Sequence, residues 1–227
     1  MGAVIRIKSA APDGFTLDAW REEAVDARRG AVVLICELDG ITPHIRDLAR
    51  GFAADGYETL APALFDRRAS RVESGNVALS ALPSHSLSEA TAWDHVAGDL
   101  AAAVAALKPP VFVVGYGWGG AVAWLAACRV AGVAAVSIYD GGGVLELLGE
   151  MPACPIILHF GLGDALVPTD VIEAIGAAHP DMPIHLYETG RRSASDCRAD
   201  LQSDAMRLAR LRTLRLFALN GVGRGDF

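Results

Sequence analysis

What this 227-residue chain has little of narrows it first. Lysine is nearly absent: among 20 basic residues only Lys8 and Lys108 carry an ammonium, and acidic residues outnumber basic ones 27 to 20. A net charge of −7 offers no basic face for neutralising phosphates, which argues against a nucleic-acid partner, and no polybasic pull toward anionic lipid. Long apolar runs are missing too. The stretch from Leu100 to Leu107 falls far short of the roughly 20 residues that span a bilayer. The amino terminus, Met-Gly-Ala-Val-Ile-Arg, shows neither the apolar core nor the small-residue cleavage site of a signal peptide. Arg6 also breaks the myristoylation pattern. The expectation is a cytoplasmic chain starting at Met1. Cys36, Cys128, Cys154 and Cys197 are scattered without a Cys-x-x-Cys, which predicts reduced thiols and neither a zinc site nor a disulfide framework. His44, His85 and His95 lack ligand spacing, so no metal or cofactor is expected.

What remains is ordinary globular material, 52% hydrophobic and 21% charged. The length suits a single domain over residues 1–227. Apolar runs at Val4–Ile7 and Phe15–Trp20 flank the turn signal Pro12-Asp13-Gly14 and predict a hairpin. Uncharged runs at Ala31–Cys36, Val111–Val114, Val133–Tyr139 and Pro155–Phe160 read as strands buried on both faces. Tyr57–Leu60 and Ile184–Tyr187 are shorter strands. Between them the pattern turns helical at Pro43–Asp55, Ser88–Leu107, Trp118–Val130, Thr169–Ala178 and Asp196–Leu219. Asp66–Ser86 is polar and aperiodic and reads as a loop carrying Arg67, Arg68 and Arg71, while Gly141–Gly143 reads as a turn. This alternation predicts an α/β fold: a mostly parallel twisted sheet of seven or eight strands with helices on both faces.

The segment Val111-Phe-Val-Val-Gly115-Tyr116-Gly117-Trp118-Gly119-Gly120 joins a buried strand to a helix start through glycines. Two chemistries use that arrangement. Gly115, Gly117 and Gly120 satisfy the dinucleotide fingerprint G-x-G-x-x-G, and Asp140 ends the next strand about where a ribose-binding acid belongs. That fingerprint normally opens its fold, whereas several strands precede it here. Gly115 and Gly119 also flank a central residue as in the nucleophile elbow, a strained turn that lifts one side chain above the sheet. The central residue is Gly117, which has no side chain. A third reading is that these glycines only let helix and strand pack closely.

Taken with four other stretches, the elbow resembles the dienelactone hydrolase family of α/β-hydrolases. They are Ile35-Cys-Glu37-Leu-Asp-Gly40, Gly56-Tyr57 with Ala61-Pro-Ala-Leu-Phe65, His159-Phe-Gly-Leu-Gly-Asp164-Ala-Leu-Val-Pro168, and Tyr187-Glu-Thr-Gly190. The resemblance runs nearly the whole length and implies hydrolysis of small carboxylic esters or lactones. In that family a cysteine at the elbow attacks the carbonyl, a histidine is its base, an aspartate orients the histidine, and a glutamate helps form the thiolate. Carried over, Glu37 and Asp164 are present, but the cysteine position holds Gly117 and the histidine position holds Arg191. Backbone N–H groups of Leu38 and Trp118 would form the oxyanion hole.

Glycine forms no acyl intermediate and arginine stays protonated, so the family mechanism is not expected to run. Arg191 and Arg192 fall where the pocket would open. Arg191 either pairs with Asp164 or, with Arg192, clamps the carboxylate or phosphate of a ligand. By the same resemblance Tyr139 and Trp118 flank the pocket mouth, and His159 is a hydrogen-bonded structural histidine. The expectation is a degenerate homologue binding a small anionic or ester-like ligand, as a monomer or weak homodimer. Its alternatives are a hydrolase using Cys36, Glu37 or Asp164, and a nicotinamide-dinucleotide-binding protein.

Overall fold

The computed structural model describes residues 2–35, 41–67, 93–163, 167–188 and 204–221. Two uncharged hexapeptides, β3 (Gly30–Ile35) and β5 (Val111–Tyr116), are buried along their whole length. They pair in parallel at the sheet's centre, Ala31 opposite Val111 and Ile35 opposite Gly115. Only strands covered on both faces tolerate such a run, because every residue of either parity meets apolar neighbours.

Around this pair the sheet has eight strands in the order β1-β2-β4-β3-β5-β6-β7-β8. The hairpin β1 (Ala3–Lys8) and β2 (Thr16–Glu22) is antiparallel, and β2 meets β4 (Tyr57–Pro62) antiparallel. From β4 onward all neighbours are parallel, through β6 (Val133–Tyr139), β7 (Ile156–Gly161) and β8 (Ile184–Tyr187). The carboxyl ends of six strands therefore lie along one edge. The chain leaves β3 toward β4 on one side, and leaves β5 toward β6 on the other. That reversal opens the crevice where α/β sheets hold ligands.

Helices cover both faces. The α1 (Pro43–Ala54) and α5 (Asp204–Gly221) helices pack Ile45, Leu48, Phe52, Ala209 and Phe217 onto one face. On the other, α2 (Trp93–Ala105), α3 (Trp118–Arg129) and α4 (Thr169–Ala178) bury Val96, Leu100, Trp124 and Ile172. Thr42 caps α1 by accepting the Ile45 N–H at 3.3 Å, with Pro43 in the first turn where no N–H is needed. Almost every residue of α3 is alanine, glycine or a large apolar side chain, and Gly119 through Ala127 are buried.

Two sequence expectations change. The Gly141–Gly143 turn opens a 3-10 helix, Gly142–Leu147, whose end is tied to α3 by the Trp124 indole N–H on the Leu147 carbonyl at 3.2 Å. Arg67 is no solvated loop residue. It ends a 3-10 turn, Leu64–Arg67, and grips the fully buried Asp99 carboxylate with Nε and Nη2, both at 2.8 Å. Asp13 completes the cluster, and these two carboxylates raise the guanidinium pKa further. The remainder of the expected loop, Arg68 and Arg71 included, and the beginnings expected for α2 and α5 lie outside the described residues.

Candidate functional site

At the carboxyl end of β5 the chain turns through Gly117 into α3, and Gly117 adopts φ 53° and ψ −118°. Side chains are strained there, whereas glycine adopts it at little cost. Two backbone bonds hold the turn: the Gly117 N–H donates to the Tyr139 carbonyl, and the Gly120 N–H to the Gly117 carbonyl, each at 2.9 Å. The neighbouring glycines serve close approach. A Cβ on Gly115 would overlap the Gly119 carbonyl, and one on Gly120 would stand 2.7 Å from Gly141 Cα. The packing reading thus holds for Gly115 and Gly120, while Gly117 has the elbow's backbone. Gly117 itself supplies no capping side chain to α3, and the helix's first N–H groups and the positive end of its dipole lie at the carboxyl end of β5.

Trp118, directly after the elbow, is half-buried, and its ring lies 4.8 Å from Phe65. Phe65 follows β4 and was quoted in the sequence only as part of a motif. Trp118 and Phe65 are thus an aromatic pair at the elbow's exit. Tyr139 does not join it, contrary to expectation. Its ring stacks on Tyr116 at 4.7 Å and its hydroxyl meets Thr213 of α5 at 2.7 Å, beneath the helix-covered face. Strand parity explains this, since Ser137 and Tyr139 share one face of β6 and the Ser137 hydroxyl reaches the same threonine at 2.7 Å.

Asp140 follows with φ 50°, a left-handed conformation that aspartate tolerates better than most residues. Its carboxylate is buried and accepts the Gly161 N–H at 3.1 Å, linking the exits of β6 and β7. This engagement, and the four strands that precede β5 in the chain, suit the elbow better than a dinucleotide fingerprint.

His159 is fully buried and structural, as expected. Nδ1 lies 2.8 Å from the Tyr187 hydroxyl and Nε2 3.2 Å from Thr213 Oγ1. Burial, followed by the nearby His185 and Arg212, pushes its pKa down to about 3, so it is neutral at pH 7. Cys128 and Cys154 are free thiols, and burial pushes them up to about 12 and about 11, away from nucleophilic use. Among the described residues no three His, Cys, Asp or Glu side chains gather as a metal site, and no helix is long and apolar enough to cross a membrane. Cys36, Glu37, Leu38, Asp164, Arg191 and Arg192 lie outside the described residues. In sequence they follow the ends of β3, β7 and β8.

The sequence profile of the dienelactone hydrolase family matches residues 17–218, nearly the whole chain. The chain belongs to that family. Carboxymethylenebutenolidase 1 of Cupriavidus pinatubonensis is 27% identical over 200 residues, covering 83% of this chain and 85% of the relative. The carboxymethylenebutenolidase of Pseudomonas putida is 29% identical over 225 residues, covering 91% and 92%. Among solved structures, a dienelactone hydrolase-like promiscuous phosphotriesterase from metagenomic libraries superposes with a TM-score of 0.75 at 19% identity, covering 96% of this chain and 98% of that one. At that identity the likeness speaks for the α/β-hydrolase fold alone. Within the dienelactone hydrolase family, an elbow with the backbone of a nucleophile turn and no side chain is the feature that needs a functional account.

Proposed function

We propose that this chain is a dienelactone hydrolase-family protein that has given up covalent ester chemistry and binds a small anionic ligand, a carboxylate or its ester or lactone relative. One observation carries the reading: Gly117 holds the strained elbow conformation with nothing to attack a carbonyl. Arg191, at the position of the family's histidine, stays protonated and takes no proton from a nucleophile. The N–H groups of Trp118 and Leu38 act as donors to the ligand's oxygen, and Arg191 with Arg192 supplies the charge that favours an anion. Trp118 and Phe65 give the ligand's apolar part a surface.

The test is a pair of assays on the purified protein. Para-nitrophenyl acetate and a dienelactone are expected to hydrolyse at the buffer rate. Small carboxylates are expected to raise the melting temperature in proportion to the logarithm of their concentration, and Arg191→Ala with Arg192→Ala to abolish the rise. Hydrolysis above the buffer rate overturns the reading, and its source follows from one further set of variants. Loss with Cys36→Ser marks a relocated thiol nucleophile, and loss with Glu37→Gln or Asp164→Asn marks a carboxylate that positions water. Quenching of NADH fluorescence would instead support a nicotinamide site through Gly115, Gly117, Gly120 and Asp140.

A further inference from the structure

The exits of β6, β7 and β8 are joined by a chain of side-chain hydrogen bonds that the proposed ligand chemistry does not use. Arg212 Nη1 donates to the Tyr187 hydroxyl at 2.9 Å, that hydroxyl meets His159 Nδ1 at 2.8 Å, and His159 Nε2 meets Thr213 Oγ1 at 3.2 Å. Thr213 also meets Ser137 and Tyr139, each at 2.7 Å. His159, Thr213 and Ser137 have no exposed surface, so every hydrogen needs an acceptor inside the protein.

Counting hydrogens fixes the direction. Arginine only donates, so the Tyr187 oxygen accepts, and its own hydrogen must go to His159 Nδ1. The imidazole hydrogen then sits on Nε2 and goes to Thr213. The Thr213, Ser137 and Tyr139 hydroxyls close the chain among themselves, Ser137 also lying within reach of the Tyr139 phenol. The opposite tautomer has Nδ1 donating to Tyr187, which leaves the Tyr187 hydrogen without an acceptor among the described residues.

Two members of the chain, Tyr187 and His159, also tie strand exits through their backbones. The Tyr187 carbonyl accepts the Leu162 N–H at 2.8 Å, while the His159 carbonyl accepts the Asp140 N–H at 2.9 Å. We propose that Tyr187 is a positioning residue, whose hydroxyl, held between Arg212 and His159, sets the exits of β7 and β8, which Asp164 and Arg191 follow in sequence. Only the rate arm of its test rests on the reading of Gly117 and Arg191 given above.

Three measurements test it. In wild-type protein, nitrogen-15 NMR of the His159 ring should show the proton on Nε2; a proton on Nδ1 overturns the relay. Tyr187→Phe, which deletes only the hydroxyl, should shift the backbone amides of Leu162, Gly163 and Glu188. Ser137→Ala deletes a hydroxyl from the far end of the same network and should leave those amides in place. Equal shifts in both variants, or none in Tyr187→Phe, reduce the network to general packing. In the rate arm, Gly117→Cys with Arg191→His is given esterase activity, and adding Tyr187→Phe should lower kcat about tenfold with KM held within about twofold. An unchanged kcat overturns the proposal. An inactive Gly117→Cys, Arg191→His parent counts against the degenerate-triad reading, and the two NMR arms still decide the relay.

Discussion

The elbow and the polar network beneath α5 meet across β6, yet they are built in opposite ways. At the elbow shape comes from missing atoms: Gly115 and Gly120 are pressed against neighbouring backbone, and Gly117 takes a turn that side chains resist. In the network shape comes from added atoms, three hydroxyls and an imidazole converging on or through Thr213. The difference separates shape held by the backbone from shape held by side chains. A backbone-defined turn draws its form from main-chain bonds, as the Gly117 turn does from the Tyr139 carbonyl and the Gly120 N–H. A buried polar network depends on its shared members, here Thr213, which three other side chains meet.

The comparison predicts that the elbow breaks on addition and the network on deletion. Gly115→Ala should have the largest effect, because its Cβ would overlap the Gly119 carbonyl and neither backbone can retreat. The expected loss exceeds about 4 kcal/mol, read as a collapsed urea midpoint or insoluble protein. Thr213→Val should come next. It preserves volume but strands Ser137, Tyr139 and His159 Nε2 in a buried place, costing about 2–4 kcal/mol. Equal tolerance of both substitutions would erase the distinction. Gly117→Ala is a milder addition. The φ of 53° makes any side chain pay about 1–3 kcal/mol of backbone strain, which chemical denaturation should report without loss of the folded spectrum.

The order and type of the strands and helices could be read directly from the chain, because uncharged runs such as Ala31–Ile35 and Val111–Val114 alternate with amphipathic or capped segments. The glycine cluster likewise pointed to the elbow, since its demands are local. What escaped the sequence depends on partners distant along the chain. Arg67 reads as one more loop arginine until Asp99, 32 residues on, is seen under it. Tyr139 reads as a pocket wall until Thr213, 74 residues away, claims its hydroxyl. A parity signal did exist, because Ser137 and Tyr139 must share a face of β6, but a polar face under a helix carries no local mark of what meets it. The contact of Trp118 with Phe65 also carries no local mark, because an aromatic after a short strand signals only burial.

The network also predicts a pH dependence that the elbow, having no titratable atom, cannot share. His159 is faced by Tyr139 from β6, by His185 and Tyr187 from β8, and by Thr213 and Arg212 from α5; none is an anion that would hold a proton on it. Its folded pKa of about 3 lies below the ordinary 6.5, so as pH falls through 6.5 the unfolded chain binds a proton that the folded one refuses. Stability from this group is therefore complete above pH 6.5 and declines by about 1.4 kcal/mol per unit on acidification, the loss ending near pH 3. His185, lowered by burial and then by Arg212, adds loss of the same sign, so the measurement must isolate His159. Urea unfolding of wild type and His159→Gln between pH 7 and pH 4 does so. The wild-type advantage should shrink steadily with acidification, and a constant difference would show that His159 carries a proton inside the fold, which the Arg212-to-Tyr187 hydrogen direction forbids.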